Sequence, residues 1–275
     1  MTQMEMEKLE INKKLNAYFI ILLFLLGCNP SNNNNNNKVI VKIDSNGDTL
    51  SVITYSNDTI KNGLAKYYYK GSGVLMEEIV FKNDKKDGLY KFYYPNQKIE
   101  AKAIYKDNMQ NGKSYDYSIS GNLITEGNWL DDKPIGSFID YFLNGKVKRY
   151  RSFDFEHNLR YVINFDSSGK KINEIGPILG QFLIHSKTDT ILINNEFVGQ
   201  ITVATPPGVN SRVFVCEFKG SKMINSTELL TKNGIAEYKT IFKSNGNYKI
   251  VTIGQFWNND TIIKSDTIFT ELFVR

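Results

Sequence analysis

The chain has two cysteines, Cys28 and Cys216, two histidines, His157 and His185, and six prolines in 275 residues. So few cysteines exclude a disulfide framework as the source of stability. Neither histidine has a Cys, His or carboxylate at ligand spacing, so no metal site and no cofactor site is expected. No nucleophile–base constellation can be assembled, which leaves no catalytic residue to name and no reason to expect an enzyme. The carboxylate pair Glu77-Glu78 reads as adjacent strand residues on opposite faces, and Asp131-Asp132 reads as a turn, so neither suits glycoside hydrolysis. Glycine-rich phosphate loops leading into helices are also missing. The net charge of +5 comes without a basic stripe: Lys alternates with Asp and Glu, and basic runs are pairs such as Lys85-Lys86. A nucleic-acid partner is therefore excluded, because counterion release needs clustered cations.

Long apolar runs are equally scarce. The longest, Ala17–Leu26 (AYFIILLFLL), follows Lys13-Lys14 and falls well short of the ~20 apolar residues a membrane-spanning helix needs. It has the dimensions of a signal-peptide core, and residues 1–27 read as an export leader. Its end, Leu25-Leu26-Gly27-Cys28, resembles the lipobox of bacterial lipoproteins, with an aliphatic residue three before the cysteine and a small one just before it. That resemblance implies lipidation of Cys28, cleavage after Gly27 and acylation of the new amino terminus, a multi-chain anchor that holds a protein stably to a membrane. Residues 28–37, an Asn-rich stretch with nothing to bury, read as a flexible tether. Surface-exported lipoproteins of the Bacteroidetes type carry acidic residues directly after the cysteine, and here there are none. The expected location is the cell envelope, with the outer membrane's periplasmic face as the reading. With Cys28 occupied by lipid, Cys216 has no partner; its neighbours Val213, Phe214, Val215 and Phe218 suggest a buried strand thiol.

What the sequence has in abundance is a repeat. Gly63, Gly88, Gly112 and Gly136 fall into one column. Five residues after each stands a tyrosine: Tyr68, Tyr93, Tyr117 and Tyr141. Further columns hold Gln97, Gly121 and Gly145, then Ile99, Leu123 and Val147, then Tyr105, Trp129 and Phe153. Each unit reads as two alternating strands joined at turns such as Pro95-Asn96, Ser120-Gly121 and Asn144-Gly145, which is a β-hairpin. A lone hairpin is marginal in water, so successive ones must pair into an elongated sheet over residues 38–176. The glycine column is expected where the chain needs φ > 0 to enter the next hairpin.

The segments KNDKKDGLYKFYYPNQKIEAKAIY (82–105) and KDNMQNGKSYDYSISGNLITEGNW (106–129) resemble MORN-variant repeats, best known from the YwqK-type antitoxin family, many members of which are lipoproteins of Bacteroidetes. The resemblance implies stacked hairpins and a scaffold role. An antitoxin normally acts in the cytosol, however, and an exported chain is on the other side of the membrane; the antitoxin role belongs to the chain only if it is cytosolic.

From residue 177 to 275 the repeat gives way to seven short apolar runs broken by turn signals such as Pro206-Pro207-Gly208 and Asn233-Gly234. That is the pattern of a β-sandwich. The stretch NGNYKIVTIGQFW (245–257) resembles a late strand of immunoglobulin-like or fibronectin-like modules, with a Tyr following a Gly turn. The whole chain is thus expected to be all-β.

Most aromatic columns should be core. Tyr67, Tyr69, Tyr90, Phe92 and Tyr94 fall on alternating positions, so some of these rings must stay at the surface, and they form the candidate binding face. The expected role is a membrane-anchored binding scaffold for a protein partner, the alternative being a glycan or cell-wall binding module that uses the same rings.

Overall fold

The computed structural model describes residues 37–57, 59–184 and 191–275, with the pair 21–22. Cys28 and His185 lie outside the described residues, as does nearly all of the leader and tether. A long antiparallel sheet of hairpin strands is followed by two small antiparallel sheets. The chain divides into two compact units, Met1–Asn122 and Leu123–Arg275.

In the first unit the strands are β1 (Asn37–Ile43), β2 (Thr49–Ser56), β3 (Ile60–Tyr68), β4 (Leu75–Lys82), β5 (Lys85–Tyr93), β6 (Ile99–Lys106) and β7 (Met109–Tyr117), each antiparallel to its neighbours in sequence. Two kinds of turn alternate. Asn83-Asp84 and Asp107-Asn108 have positive φ at both central residues, the geometry whose twist matches that of a two-residue hairpin and which Asn and Asp tolerate. At the opposite end the loop from Tyr94 closes through Tyr94 N–H to Lys98 O and Gln97 N–H to Tyr94 O, both 2.8 Å, with Gln97 at φ 64.

The glycine column does not open these turns. Gly63, Gly88 and Gly112 sit inside strands, in bulges where three residues face a single one on the preceding strand. Tyr90 is opposite Ile79 and Lys86 opposite Phe81, so Asp87, Gly88 and Leu89 together face Val80. The bulge bends the strand and puts Gly88 at φ 131, where a Cβ would lie 3.0 Å from the Val80 Cβ. Gly63 and Gly112 meet Thr54 and Ile104 in the same way. Glycine is required twice over, by backbone angle and by the β-branched side chain packed against its bare Cα.

Consecutive hairpins are also held together by side chains that reach one repeat ahead. Tyr69 and Tyr94 donate their hydroxyls to Tyr93 O at 2.6 Å and Tyr117 O at 2.8 Å. Asn96 donates to Ile119 O and Lys98 to Ser120 O. At the other end Asp84 and Asn108 accept from the Lys61 and Lys86 amides, both 2.8 Å, and their own amides donate back to those residues' carbonyls.

The second unit continues the hairpins with β8 (Leu123–Leu130), β9 (Gly136–Tyr141), β10 (Val147–Phe153), β11 (Leu159–Phe165) and β12 (Lys171–Ile175). Two four-stranded sheets follow. One has the order β13 (Leu179–Ile184), β14 (Glu196–Val203), β17 (Ile235–Ile241) and the short Thr231–Lys232. The other has β16 (Lys222–Leu229), β15 (Asn210–Lys219), β18 (Gly246–Asn258) and β19 (Thr261–Val274). Read in chain order, this is the immunoglobulin-type division of strands between two sheets. Tyr248, two residues into β18, donates its hydroxyl to Ser244 O at 2.9 Å, the tyrosine corner of such sandwiches. Where an antibody domain has its disulfide, this core is filled by Ile201, Val213, Val215, Tyr238 and Ile250.

The sandwich shares that core with the late repeats: Tyr150, Tyr161 and Ile163 belong to the same buried cluster, and Tyr161 meets Phe256 edge-on at 5.6 Å. Glu174 accepts from Tyr161, Lys264 and Lys171 at 2.6, 2.8 and 2.7 Å. Burial works against its charge, yet these donors pull its carboxyl down to about 2. Cys216 is half-exposed rather than buried, its Sγ 3.4 Å from Ser226 Oγ, because its strand turns Val215 and Glu217 inward instead.

Replacing Gly88 by Ala is expected to cost about 1–3 kcal/mol of stability, whereas Gly145→Ala, at φ 81 with open space around it, should cost only about 1 kcal/mol. Equilibrium urea denaturation of the two variants checks this ranking.

Candidate functional site

Strand register sorts the first unit's side chains onto two faces. On one face, Ile53, Ala65, Ile79, Tyr90, Ala103 and Ser114 lie opposite one another across β2 to β7. Ile53, Ala65, Ile79 and Phe81 are buried there, with Tyr55, Tyr67 and Tyr90 packed against them. Beside that row runs a second, Tyr67–Glu77–Phe92–Ala101–Asp116, again each opposite the next. Tyr90 also meets Tyr105 edge-on at 5.6 Å. Register thus puts Tyr67, Tyr90 and Phe92 on one aromatic face, half-buried. Tyr69 and Tyr94 stand just past the ends of β3 and β5, their hydroxyls tied to the following repeat.

The reverse face has a different chemistry. Glu78 accepts from the Tyr93 hydroxyl at 2.6 Å and pairs with Lys91 at 3.1 Å and Lys66 at 3.4 Å. The Tyr93 hydrogen bond holds its carboxyl below the usual range, and the two lysines add to the effect against the cost of burial. Two aromatic columns are therefore split between the faces: Tyr93 serves this one, while Phe81 and Tyr105 serve the other.

Three carboxylates on the aromatic side have no such partners. Glu77, Glu100 and Asp116 make no hydrogen bond or ion pair among the described residues. Burial raises the Glu77 carboxyl, with Lys86 partly offsetting it. Desolvation and then Glu100 raise Asp116, at the exposed end of the row. Burial pushes the Tyr90 hydroxyl up to about 12, and Glu77 adds to the shift. Glu100 is the extra residue of a bulge, since Phe92 faces Ala101 and Tyr93 faces Ile99. Its charge reaches Tyr69, Tyr90, Tyr94 and Asp116. The cations on this side include Lys86, over the rings of Tyr90 and Tyr105 at 5.7 and 5.3 Å, and Lys61, over Phe81 at 4.9 Å; Lys38 and Lys42, opposite Tyr55 and Ser51, register on the same face.

The rings stand out in the sequence and the three acids do not. Glu77 was visible only as half of an adjacent pair, and strict alternation sends Glu100 to the side opposite Ala101. Only the bulge and the cross-strand register bring the acids into line.

Elsewhere, a cavity of about 490 Å³ is lined by Tyr248, Lys249, Glu271, Leu272 and Phe273, none of them a residue singled out as a candidate. His157 is a turn residue at φ 67 with Nδ1 3.0 Å from Pro134 O. Among the described residues no group of three His, Cys, Asp or Glu could hold a metal ion.

No family model matches the chain, and no curated protein matches it. One solved structure, described as the crystal structure of TarM, aligns at 11% identity over 52% of this chain and 23% of its own, with a TM-score of 0.25. So low a score carries no argument.

The two faces should respond oppositely to neutralisation. A lowered carboxyl such as Glu78 contributes stability above its unfolded-state pKa and loses it as pH falls through the folded value. A raised one such as Glu77 contributes below its unfolded-state pKa and loses it as pH rises through the folded value. At pH 7, Glu78→Gln is expected to cost about 1–3 kcal/mol, a deficit that shrinks on acidification. Glu77→Gln should leave stability unchanged or slightly higher. Urea denaturation at pH 7 and pH 4 separates the two.

Proposed function

We propose that this chain is a membrane-anchored envelope lipoprotein, lipidated at Cys28, whose repeat sheet is a binding scaffold for a protein partner and not an enzyme. The observation that carries the reading is the aromatic face: Tyr67, Tyr90 and Phe92 aligned by strand register, half-buried, on a sheet whose reverse side is occupied by internal ion pairs. A rigid row of rings offers contact area at little conformational cost, as binding surfaces require. The hairpin-to-hairpin ties support the reading further, because a face built on clamped strands is organised before it meets a ligand. The MORN-variant resemblance agrees with a scaffold role; repeat sheets host many partners and name none. The outer membrane's periplasmic face is the proposed location.

A glycan or cell-wall ligand is the second reading, favoured by half-buried rings lying next to carboxylates that could accept hydroxyl protons.

A photo-crosslinking residue at Phe92, introduced into the chain in its native cells, tests the proposal. Expected is one discrete protein adduct in the membrane fraction, lost when Cys28→Ala abolishes fatty-acid labelling and releases the chain from the membrane. Retention on polysaccharide without a protein adduct would replace the first reading by the second. Unlabelled, cytosolic protein would overturn the lipoprotein reading and return the antitoxin role.

A further inference from the structure

On the reverse face Glu78 is met by two lysines and a tyrosine, and Asp87 by Lys106 at 2.8 Å. In the second unit Asp140 is met by Arg149 and Arg151, at 2.8 and 2.9 Å, and Glu174 by two lysines. Against that pattern, Glu77, Glu100 and Asp116 make no hydrogen bond or ion pair among the described residues, with Lys86 acting on Glu77 only at a distance, although the chain as a whole carries a net charge of +5. They are also interleaved with rings, in the order Tyr67, Glu77, Phe92, Glu100 beside Ala101, and Asp116. A cation placed over such a ring is attracted by its π face, and a neighbouring carboxylate adds a charge-assisted hydrogen bond. The chain already uses the first half of this arrangement, with Lys86 over Tyr90 and Tyr105.

We infer that this row docks a basic, extended polypeptide segment of the partner, with its Lys or Arg side chains lying over Tyr67 and Phe92 and against Glu77, Glu100 and Asp116. This rests on reading the aromatic face as a binding surface. The spacing fits. Three inter-strand steps separate Glu77 from Asp116, roughly 14 Å at ~4.8 Å per step. An extended peptide rising ~3.3 Å per residue sets same-side residues at i and i+4 about 13 Å apart. A segment crossing the strands with basic residues at alternate positions would meet the acids in turn. Lys86 and Lys61 lie toward the Phe81 end of the face, and Lys42 stands at the far end of the row, beyond Ser51 and Tyr67, so the stretch from Glu77 to Asp116 carries acids and no lysine. The incoming cations would also relieve the repulsion between Glu100 and Asp116.

The experiment is calorimetric titration of the full chain with a synthetic peptide of alternating Lys and Ser. Its Glu–Ser counterpart and a chitin oligosaccharide serve as comparison probes. Expected is binding of the Lys–Ser peptide alone, weakened about tenfold by Glu77→Gln with Asp116→Asn and further by salt. Removing two charges elsewhere, with Glu196→Gln and Glu271→Gln, should leave it unchanged. Neither Glu77 nor Asp116 makes a hydrogen bond, so the double variant should keep its fold; Phe92→Leu, which retains the apolar contact without the π face, gives a second readout and should also weaken the peptide. Absence of Lys–Ser binding, or equal binding by both charge variants, would overturn the inference. If the chitin oligosaccharide then bound and Phe92→Leu abolished that binding, the face would stand as a binding surface and only the basic partner would be refuted. Silence from all three probes, together with no adduct at Phe92 in cells, would remove the binding-face reading as well.

Discussion

Each hairpin of the repeat sheet depends on the next one for its backbone satisfaction. A two-stranded ribbon leaves amide and carbonyl groups unpaired along both edges, and in water it is barely stable. Here the edges are closed by the following hairpin. Tyr69, Tyr94, Asn96 and Lys98 then reach the carbonyls of the next turn, while Asp84 and Asn108 take amides from the one before. Every such bond spans 22 to 24 residues, just under the length of one unit. The unit from Gly63 is one residue longer than the next, and its extra residue sits in the loop closed by Tyr69 N–H to Val74 O, so the equivalent bonds are kept; one extra residue within a strand would instead send alternate side chains to the wrong face. The strand lengths and the repeated bulges therefore set the register, and the register decides which rings and acids stand side by side.

From that constraint follows the division of labour between faces. Bulges at Gly63, Gly88 and Gly112 bend the strands and let Thr54, Val80 and Ile104 pack on bare Cα positions. One side keeps its charges internally neutralised through Glu78, Lys66, Lys91 and Tyr93. The other keeps its rings half-buried and leaves Glu77, Glu100 and Asp116 without a hydrogen bond or ion pair among the described residues. In the second unit the late hairpins are used differently: Tyr150, Tyr161 and Ile163 become part of the sandwich core, and the Tyr150 hydroxyl takes the Thr205 amide at 2.6 Å. The same hairpin pattern thus supplies packing surface in one unit and open surface in the other.

Much of this architecture was legible in the sequence. The period, the hairpin turns at Ser120-Gly121 and Asn144-Gly145, the all-β content and the immunoglobulin-type strand around Tyr248 all follow from local composition and spacing. The glycine column was visible as a column, but its place inside a strand was not, because a three-to-one bulge leaves no mark on a two-residue alternation. Strand β16 (Lys222–Leu229) carried no signal either; it is an edge strand, almost wholly exposed, so no face of it had to be apolar. The candidate rings were legible for a similar local reason, being aromatic residues in excess of what one buried face could take. The acids between them were not, since only cross-strand pairing brings Glu77, Phe92 and Asp116 together.

The two faces of the repeat sheet differ in how their carboxylates are held, one face pairing them and the other leaving Glu77, Glu100 and Asp116 without a hydrogen bond or ion pair among the described residues. NMR titration of the side-chain carboxyls of Glu77, Glu78 and Asp116 in the full chain measures this directly. Glu78 is expected to titrate below the ordinary carboxylate range, and Glu77 and Asp116 above it. Ordinary values for all three would mean that the faces are electrostatically alike, and would contradict this difference.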